Sequence, residues 1–331
     1  MENPLFSPGD YSGSKTLVDG TPPAGDKLYA AHINELREAI NNLSVFNVKD
    51  YGAVGDGITD DTAAINDCIA AASATGRFIS VFFPANSTYL ISDTIEVPNT
   101  VAIIGADKAS TWIKTNLNIP MLKYDLDIYG SYYFNEIRGL TFSGQNIVGT
   151  KTSNVAILIV GTGNDYFSHI DIHDLRFYIT YTAIHVIKTT NVGGENHHDW
   201  NNYHDLDIMC NGYGIKLDYG TGTGCHYFNV RADCGISCLE IGGSGDVNCG
   251  DVLISGWHTA TAINAIKIRG PATAYNERFT ILNCQFDAGV VHAVDFDNIG
   301  RFKIMCINLA GAPTDYVLTN CANYTIEHTD Y

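Results

Sequence analysis

LDIMCNGYGIKL, residues 206–217, holds two short apolar alternations, LDI and GIKL, separated by an Asn-Gly break. Each has counterparts along the chain. GIKL (214–217) belongs with AILI (156–159), AIHV (183–186), CLEI (238–241), AIKI (265–268), AVDF (293–296) and YVLT (316–319), whose starts advance by 27, 31, 24, 27, 28 and 23 residues. LDI (206–208) belongs with LTF (140–142), LRF (175–177), VRA (230–232), ISG (254–256), ILN (281–283), IMC (304–306) and IEH (326–328). The register of the later members is open, because FTI and FKI lie just upstream and read as strands themselves. Two interleaved strand series with one period and no helix between them define an all-β chain wound as a parallel β-helix.

Stacking fixes what each column must contain, because rungs sit about 4.8 Å apart and a one-residue slip would turn the apolar face outward. The small leading residues Ala156, Ala183, Gly214, Cys238, Ala265 and Ala293 are expected at a turn or an interior corner. In the GIKL series the outward residues are His185, Lys216, Glu240, Lys267 and Asp295, alternating in sign from Lys216 onward. In the LDI series they are Arg176, Asp207 and Arg231, so Asp207 should lie between two guanidinium groups.

Composition narrows the function. The 331 residues carry a formal net charge of -17, which would repel a nucleic-acid backbone. No run is long and apolar enough for a membrane span, and the N-terminus lacks the basic start and apolar core of a signal peptide. The nine cysteines show no paired CxxC spacing, so no metal or other cofactor is expected, and they read as buried apolar residues of a protein made in a reducing cytoplasm.

YGAVGDGITDDTAAIND, residues 51–67, is no phosphate cradle. Asp60 and Asp61 would occupy the positive end of the helix that follows and satisfy its free N–H groups, and a phosphate would meet repulsion. An EF-hand spacing is absent. The segment reads as a strand FNVKDYGA, a glycine turn and an Asp-capped helix with Ile65, Cys68, Ile69 and Ala72 on one face, suited to cover the open end of the solenoid.

FNVKDYGAVGDGITDDTAAINDCIAAA, followed by ISVFFPANSTYLIS and VAIIGADKASTWIK, resembles the N-terminal portion of the pectate-lyase-like superfamily shared by phage tailspikes, polysaccharide depolymerases and polygalacturonases. The resemblance covers about residues 46–115, with PANST (84–88) in place of the usual Pro-Ala-Gly turn. It implies a right-handed parallel β-helix. The Asn-Thr-Asp, Gly-His-Gly and Arg-Ile-Lys segments of the polygalacturonase branch are absent, and Asp-Asp occurs only at 60–61, which disfavours pectin hydrolysis of that kind. LYAAHINELREAI (28–40) is similar to segments near the N-termini of phage virion proteins. In the longer stretch KLYAAHINELREAINNLS (27–44), Ile33, Leu36, Ile40 and Leu43 have coiled-coil spacing over two heptads, read either as a trimerising stalk or as a helix packed on its own domain.

Candidate chemistry gathers where HDL occurs twice, at 173–175 and 204–206. Asp205 and Asp207 are the candidate acid and base, with Arg231 holding an acidic sugar. Arg176, His204, Trp200, Tyr203 and Asn202 are the candidate saccharide contacts, the aromatic pair offering flat faces. The plain alternatives are a ladder of cross-coil ion pairs, each worth ~0.2 to 1 kcal/mol, and a solvated loop whose tryptophan packs inward. The adjacent His197 and His198 would point to opposite sides of an extended chain, a poor metal pair.

The whole reads as residues 1–45, an arm and short helix that attach to other virion proteins or oligomerise, and residues 46–331, the β-helix. The expected protein is a tailspike-like phage virion component, made in the host cytoplasm, homotrimeric, binding host surface polysaccharide and open to depolymerising it as a lyase or hydrolase. The alternatives are a non-catalytic structural decoration or adaptor of the virion and, third, a secreted pectinolytic enzyme.

Overall fold

Parallel pairing at every rung turns the two strand series into a solenoid. The computed structural model describes residues 45–144, 152–162, 165–188, 198–218, 224–242, 251–270, 278–308, 316–321 and 324–328. The chain divides into two units, Met1–Ser44 and Val45–Tyr331, and the described residues all belong to the second. The expected arm, the coiled-coil seam and His197 lie outside the described residues.

One column of the β-helix runs Ile157, Ile184, Ile215, Leu239, Ile266 and Val294, each in register with the next through parallel pairing. All six are buried, as are Ile159, Val186, Leu217, Ile241, Ile268 and Phe296 two residues on, so both inward columns of the GIKL series form continuous files of core. The column begins earlier than the repeat suggests, at Ile95 and Leu122. YVLT fits one residue out of the expected frame, with Tyr316 opposite Val294 and Leu318 opposite Phe296. Its apolar pair therefore continues the two inward files, and the mismatch at the ends of YVLT is a framing error.

The second series splits. LTF, LRF, LDI and VRA are in register, but Val230 then pairs with Trp257 rather than Ile254. ISG, ILN, IMC and IEH are in register with one another and belong one arm upstream, where Ile254 follows Tyr227. FTI and FKI are thus the true strand segments, and the continuing column reads Trp257 and Cys284. A left-handed corner causes the confusion. Gly139, Asp174, Asp205, Asn229, Gly256 and Asn283 occupy equivalent positions in successive coils, with φ of 70°, 49°, 53°, 51°, 61° and 51°. Gly, Asn and Asp tolerate this backbone, and it re-aims the strand without ending it.

The three residues before each of the first five corners form a short arm, at 136–138, 171–173, 202–204, 226–228 and 253–255, and a second left-handed corner precedes each of these arms. There the residues are Phe134, His169, Trp200, Gly224 and Asp251, with φ of 54°, 57°, 57°, 67° and 55°.

At the N-terminal end, helix α1 (Thr62–Ser73) buries Ile65, Cys68, Ile69 and Ala72, the face the spacing predicts, and packs against the turn Val48–Tyr51 and the strand Ile79–Phe83. The expected strand FNVKDYGA is only two residues long. Asn47 accepts from the Lys49 N–H at 2.9 Å and starts a 3-10 turn that Gly52 closes at φ 98°. Asp61 does not cap the helix with its side chain. Its carboxylate instead accepts from Val54 N–H (2.6 Å) and Gly55 N–H (3.1 Å), tying down the glycine turn, while Asp60 accepts from Thr62 N–H at 3.0 Å.

Candidate functional site

The short arm is three residues wide between two corners, so its first and third residues point outward and its middle residue inward. The inward file, Ile137, Ile172, Tyr203, Tyr227 and Ile254, is fully buried. Outward stand Glu136, Asp171, Asn202 and His226 in one column and Arg138, His173, His204 and Phe228 in the other. Two elements of the sequence reading meet here: Asn202 and His204 lie on this face, and Asp205 forms its corner.

Tyr203 does not join them. It is turned inward, stacked on Tyr227 at 5.0 Å and hydrogen-bonded to His198 at 2.6 Å, so it has no face to offer a sugar. The alternation that exposes Asn202 and His204 requires this. Trp200, two residues before the arm, is 54% exposed, and its ring covers Gly224, where any Cβ would come within 2.6 Å of the indole.

His204 is the centre of the polar network. Its Nε2 lies 3.0 Å from Asp171 Oδ1 and its Nδ1 lies 2.7 Å from Asp205 Oδ2. Its ring is sandwiched between His173 at 4.7 Å and Phe228 at 4.4 Å, both within 7° of parallel. His173 repeats the diagonal one coil earlier, its Nε2 lying 2.9 Å from Glu136 Oε1, and Arg138 Nε reaches the same oxygen at 2.8 Å. The imidazole at Asp205 holds that carboxyl below its usual range, and the Asn229 amide adds to the effect. Asp205 therefore stays ionised, a state suited to accepting a proton or hydrogen bonds rather than donating them.

Around the corner, Asp207 lies in register between Arg176 and Arg231. It is bonded to Arg176 Nε at 3.0 Å, whereas Arg231 leans toward Asp233 at 3.8 Å and is largely exposed. Lys108 was not legible from the sequence. It arrives from a turn 97 residues upstream, donates to the Asp205 carbonyl at 2.9 Å and pairs with Asp174 at 3.2 Å, binding both left-handed corners together. Asp171 was also missed, although its place two residues before His173 matches that of Asn202 before His204.

Asp171, His173 and His204 have ligand atoms within 4.8 Å of one another and are the described residues that best approach a metal-ligand set. The stacked imidazoles lie 6° from parallel, so their lone pairs run side by side rather than toward a shared point, and Phe228 holds the second ring in its plane. These residues do not fit an ion without turning both rings.

A stacked solenoid with an outward polar and aromatic face defines a pectate-lyase-like β-helix protein. Residues 45–300 match the family described as Rhamnogalacturonase A/epimerase, pectate lyase-like, and the chain belongs to that family. It is 27% identical over 157 residues to the tail spike protein of Shigella phage Sf6, covering 46% of this chain and 24% of that protein. It is 26% identical over 214 residues to the pre-neck appendage protein of Bacillus phage B103, covering 63% of this chain and 22% of that protein. The chain thus spans about a quarter of the length of these curated relatives. Among solved structures, the enzymatically active domain of tailspike protein 2 from bacteriophage CBA120 superposes with a TM-score of 0.61 at 15% identity, over 86% of this chain and 43% of that one, a likeness of fold.

Proposed function

We propose that this chain is the β-helical part of a tailspike-like phage virion protein and that its short-arm face binds host surface polysaccharide. One observation carries the reading: a clamped donor-acceptor network, Asp171–His204–Asp205, stands on the arm that follows the corner bearing an exposed indole, Trp200. Saccharide recognition needs that pairing, hydrogen bonds for hydroxyls and a flat apolar surface for the C–H face. Family membership and the likeness to phage tail proteins support the same assignment. Residues 1–45 then serve attachment to other virion proteins, and the particle carries the protein as a homotrimer.

Cleavage is the finer step of the same proposal. Asp205 takes the base and Asp207, ion-paired to Arg176, is its partner carboxylate in the candidate acid-base pair, with Arg231, free enough to swing, holding an acidic sugar. Host capsule or lipopolysaccharide incubated with the protein should be retained on it, and cleavage would release new reducing ends or an unsaturated uronate absorbing in the ultraviolet. Asp207→Asn should abolish release and leave retention intact. Retention without release in the wild type restricts the protein to adhesion, and absence of retention removes the proposal.

A further inference from the structure

We propose that Phe134, His169 and Trp200 form a stacking ridge that receives the apolar faces of neutral pyranose rings, with the glycan running across successive coils parallel to the solenoid axis. This inference rests on the saccharide-binding reading above and adds residues and an orientation to it.

The backbone supplies the first reason. All three residues sit at the same corner position with φ of 54° to 57°, a region that His enters readily but that bulky Phe and Trp rarely occupy, at a cost of about 1–3 kcal/mol each. The neighbouring corner, at similar φ, uses only Gly, Asp and Asn, and the same column reverts to Gly224 and Asp251 in the next coils. The corner itself therefore does not demand aromatics. Their placement in three consecutive coils calls for a use outside the fold.

Exposure supplies the second. Phe134 is 76% exposed and Trp200 54%, and His169 is exposed between them. Single exposed apolar side chains are ordinary, but a file of three on adjacent rungs is a continuous surface. The Phe134 and His169 rings lie 4.9 Å apart, close to the coil spacing, and Tyr133 stacked on Tyr166 at 5.8 Å extends the same edge. The Trp200 indole lies against Gly224, where a Cβ would meet it at 2.6 Å, and with no side chain on that coil the ridge ends there.

Chemistry names the occupant. The ridge side chains carry no carboxylate, so ring stacking on C–H faces is their contribution, while Glu136, Asp171 and Asn202, two residues further along each coil, offer acceptors and an amide to the hydroxyls at the edge of such a ring. Pyranoses with one face of axial C–H groups match this division, and one sugar per rung or two follows from the coil spacing.

Asparagine fits left-handed backbone, so Phe134→Asn with Trp200→Asn removes the stacking surface while relaxing the corner. The probe is a printed array of bacterial capsular and O-chain oligosaccharides, neutral and uronate-bearing. For the neutral glycans that the wild type binds, the double variant should lose at least tenfold in affinity, with a thermal midpoint equal to or above the wild type. Bound neutral glycan should also shield Trp200 of the wild type from acrylamide quenching, read in a Trp112→Phe background in which buried Trp257 contributes a constant signal. Unchanged affinity in the variant, or binding without shielding, overturns the ridge and leaves the polysaccharide reading standing. Binding to no glycan on the array overturns both.

Discussion

Asp205 carries two duties that a single substitution can separate. Its left-handed φ of 53° is tolerated by Asp, Asn and Gly but strained for Ala, and its carboxylate holds His204 at 2.7 Å. Asp205→Ala should lower unfolding free energy by about 1–2 kcal/mol from the backbone alone, whereas Asp205→Gly should stay closer to the wild type in urea titrations. Because hydrogen bonding from His204 and Asn229 depresses the folded-state pKa of Asp205, its stabilisation is complete above the ordinary carboxylate range and fades as pH falls through the folded value. The gap in stability between wild type and Asp205→Asn should therefore close on acidification. The same residue shows what the sequence could reveal: HDL, repeated at 173 and 204, encodes outward, corner and inward positions in order. The polar neighbours of Tyr203 suggest a loop, whereas the period-two strand running from Asn202 turns it inward. Burial likewise decides thiol chemistry, pushing Cys68, Cys225 and Cys284 up to about 12, so these cysteines should remain unmodified by iodoacetamide at pH 8 in peptide maps of the native protein.

At the level of elements, corners and ladders set the register that periodicity alone left open. The GIKL columns were legible because inward Ile, Leu and Val repeat without interruption and the outward file alternates in charge. The LDI columns blurred past residue 232 because each coil carries two inward apolar residues on either side of a corner, and a three-letter pattern fits both. Gly139 shows how tightly the corners pack: a Cβ there would meet the Gly105 carbonyl oxygen at 2.3 Å. Gly139→Ala should cost at least about 2 kcal/mol, from strain and from the clash together, and should raise hydrogen exchange in Glu136–Ser143 first. The ladder of outward charges has its own anchor in Asp218. Burial alone would raise its pKa, but the hydrogen bond with His185 and the ion pair with Lys216, both at 2.7 Å, outweigh that and bring it to about 2. A folded-state value below the unfolded one places the stabilisation above about pH 4, the ordinary carboxylate range, with loss as pH falls toward 2. Asp218→Asn should reduce stability at pH 7 by about 2 kcal/mol and flatten that acid limb in calorimetry.

For the molecule as a whole, two long-range features oppose each other. The formal net charge of -17 drives copies apart, and at low ionic strength that repulsion reaches well beyond contact distance. Yet Met209, Ile263 and Val291 are about half exposed and line one open groove with Thr261, Gly289 and a single carboxylate, Asp233, a largely apolar strip on the side wall of the solenoid. Stacking cannot bury this strip, because every inward column is already filled and the strip belongs to outward positions. Burial against another copy can, and the homotrimer proposed with the functional reading would set each wall against a neighbour. Screening should then control it. Sedimentation velocity on the full chain should show association strengthening as salt rises from about 0.01 M, where the Debye length is about 30 Å, to about 0.15 M, where it is about 8 Å. Ile263→Lys with Val291→Lys should yield monomers at both, since a lysine on each wall removes apolar area and must be desolvated on contact, while the lower net charge would by itself favour association. Trimers that survive in that variant would place the contact elsewhere and leave the strip free for another partner.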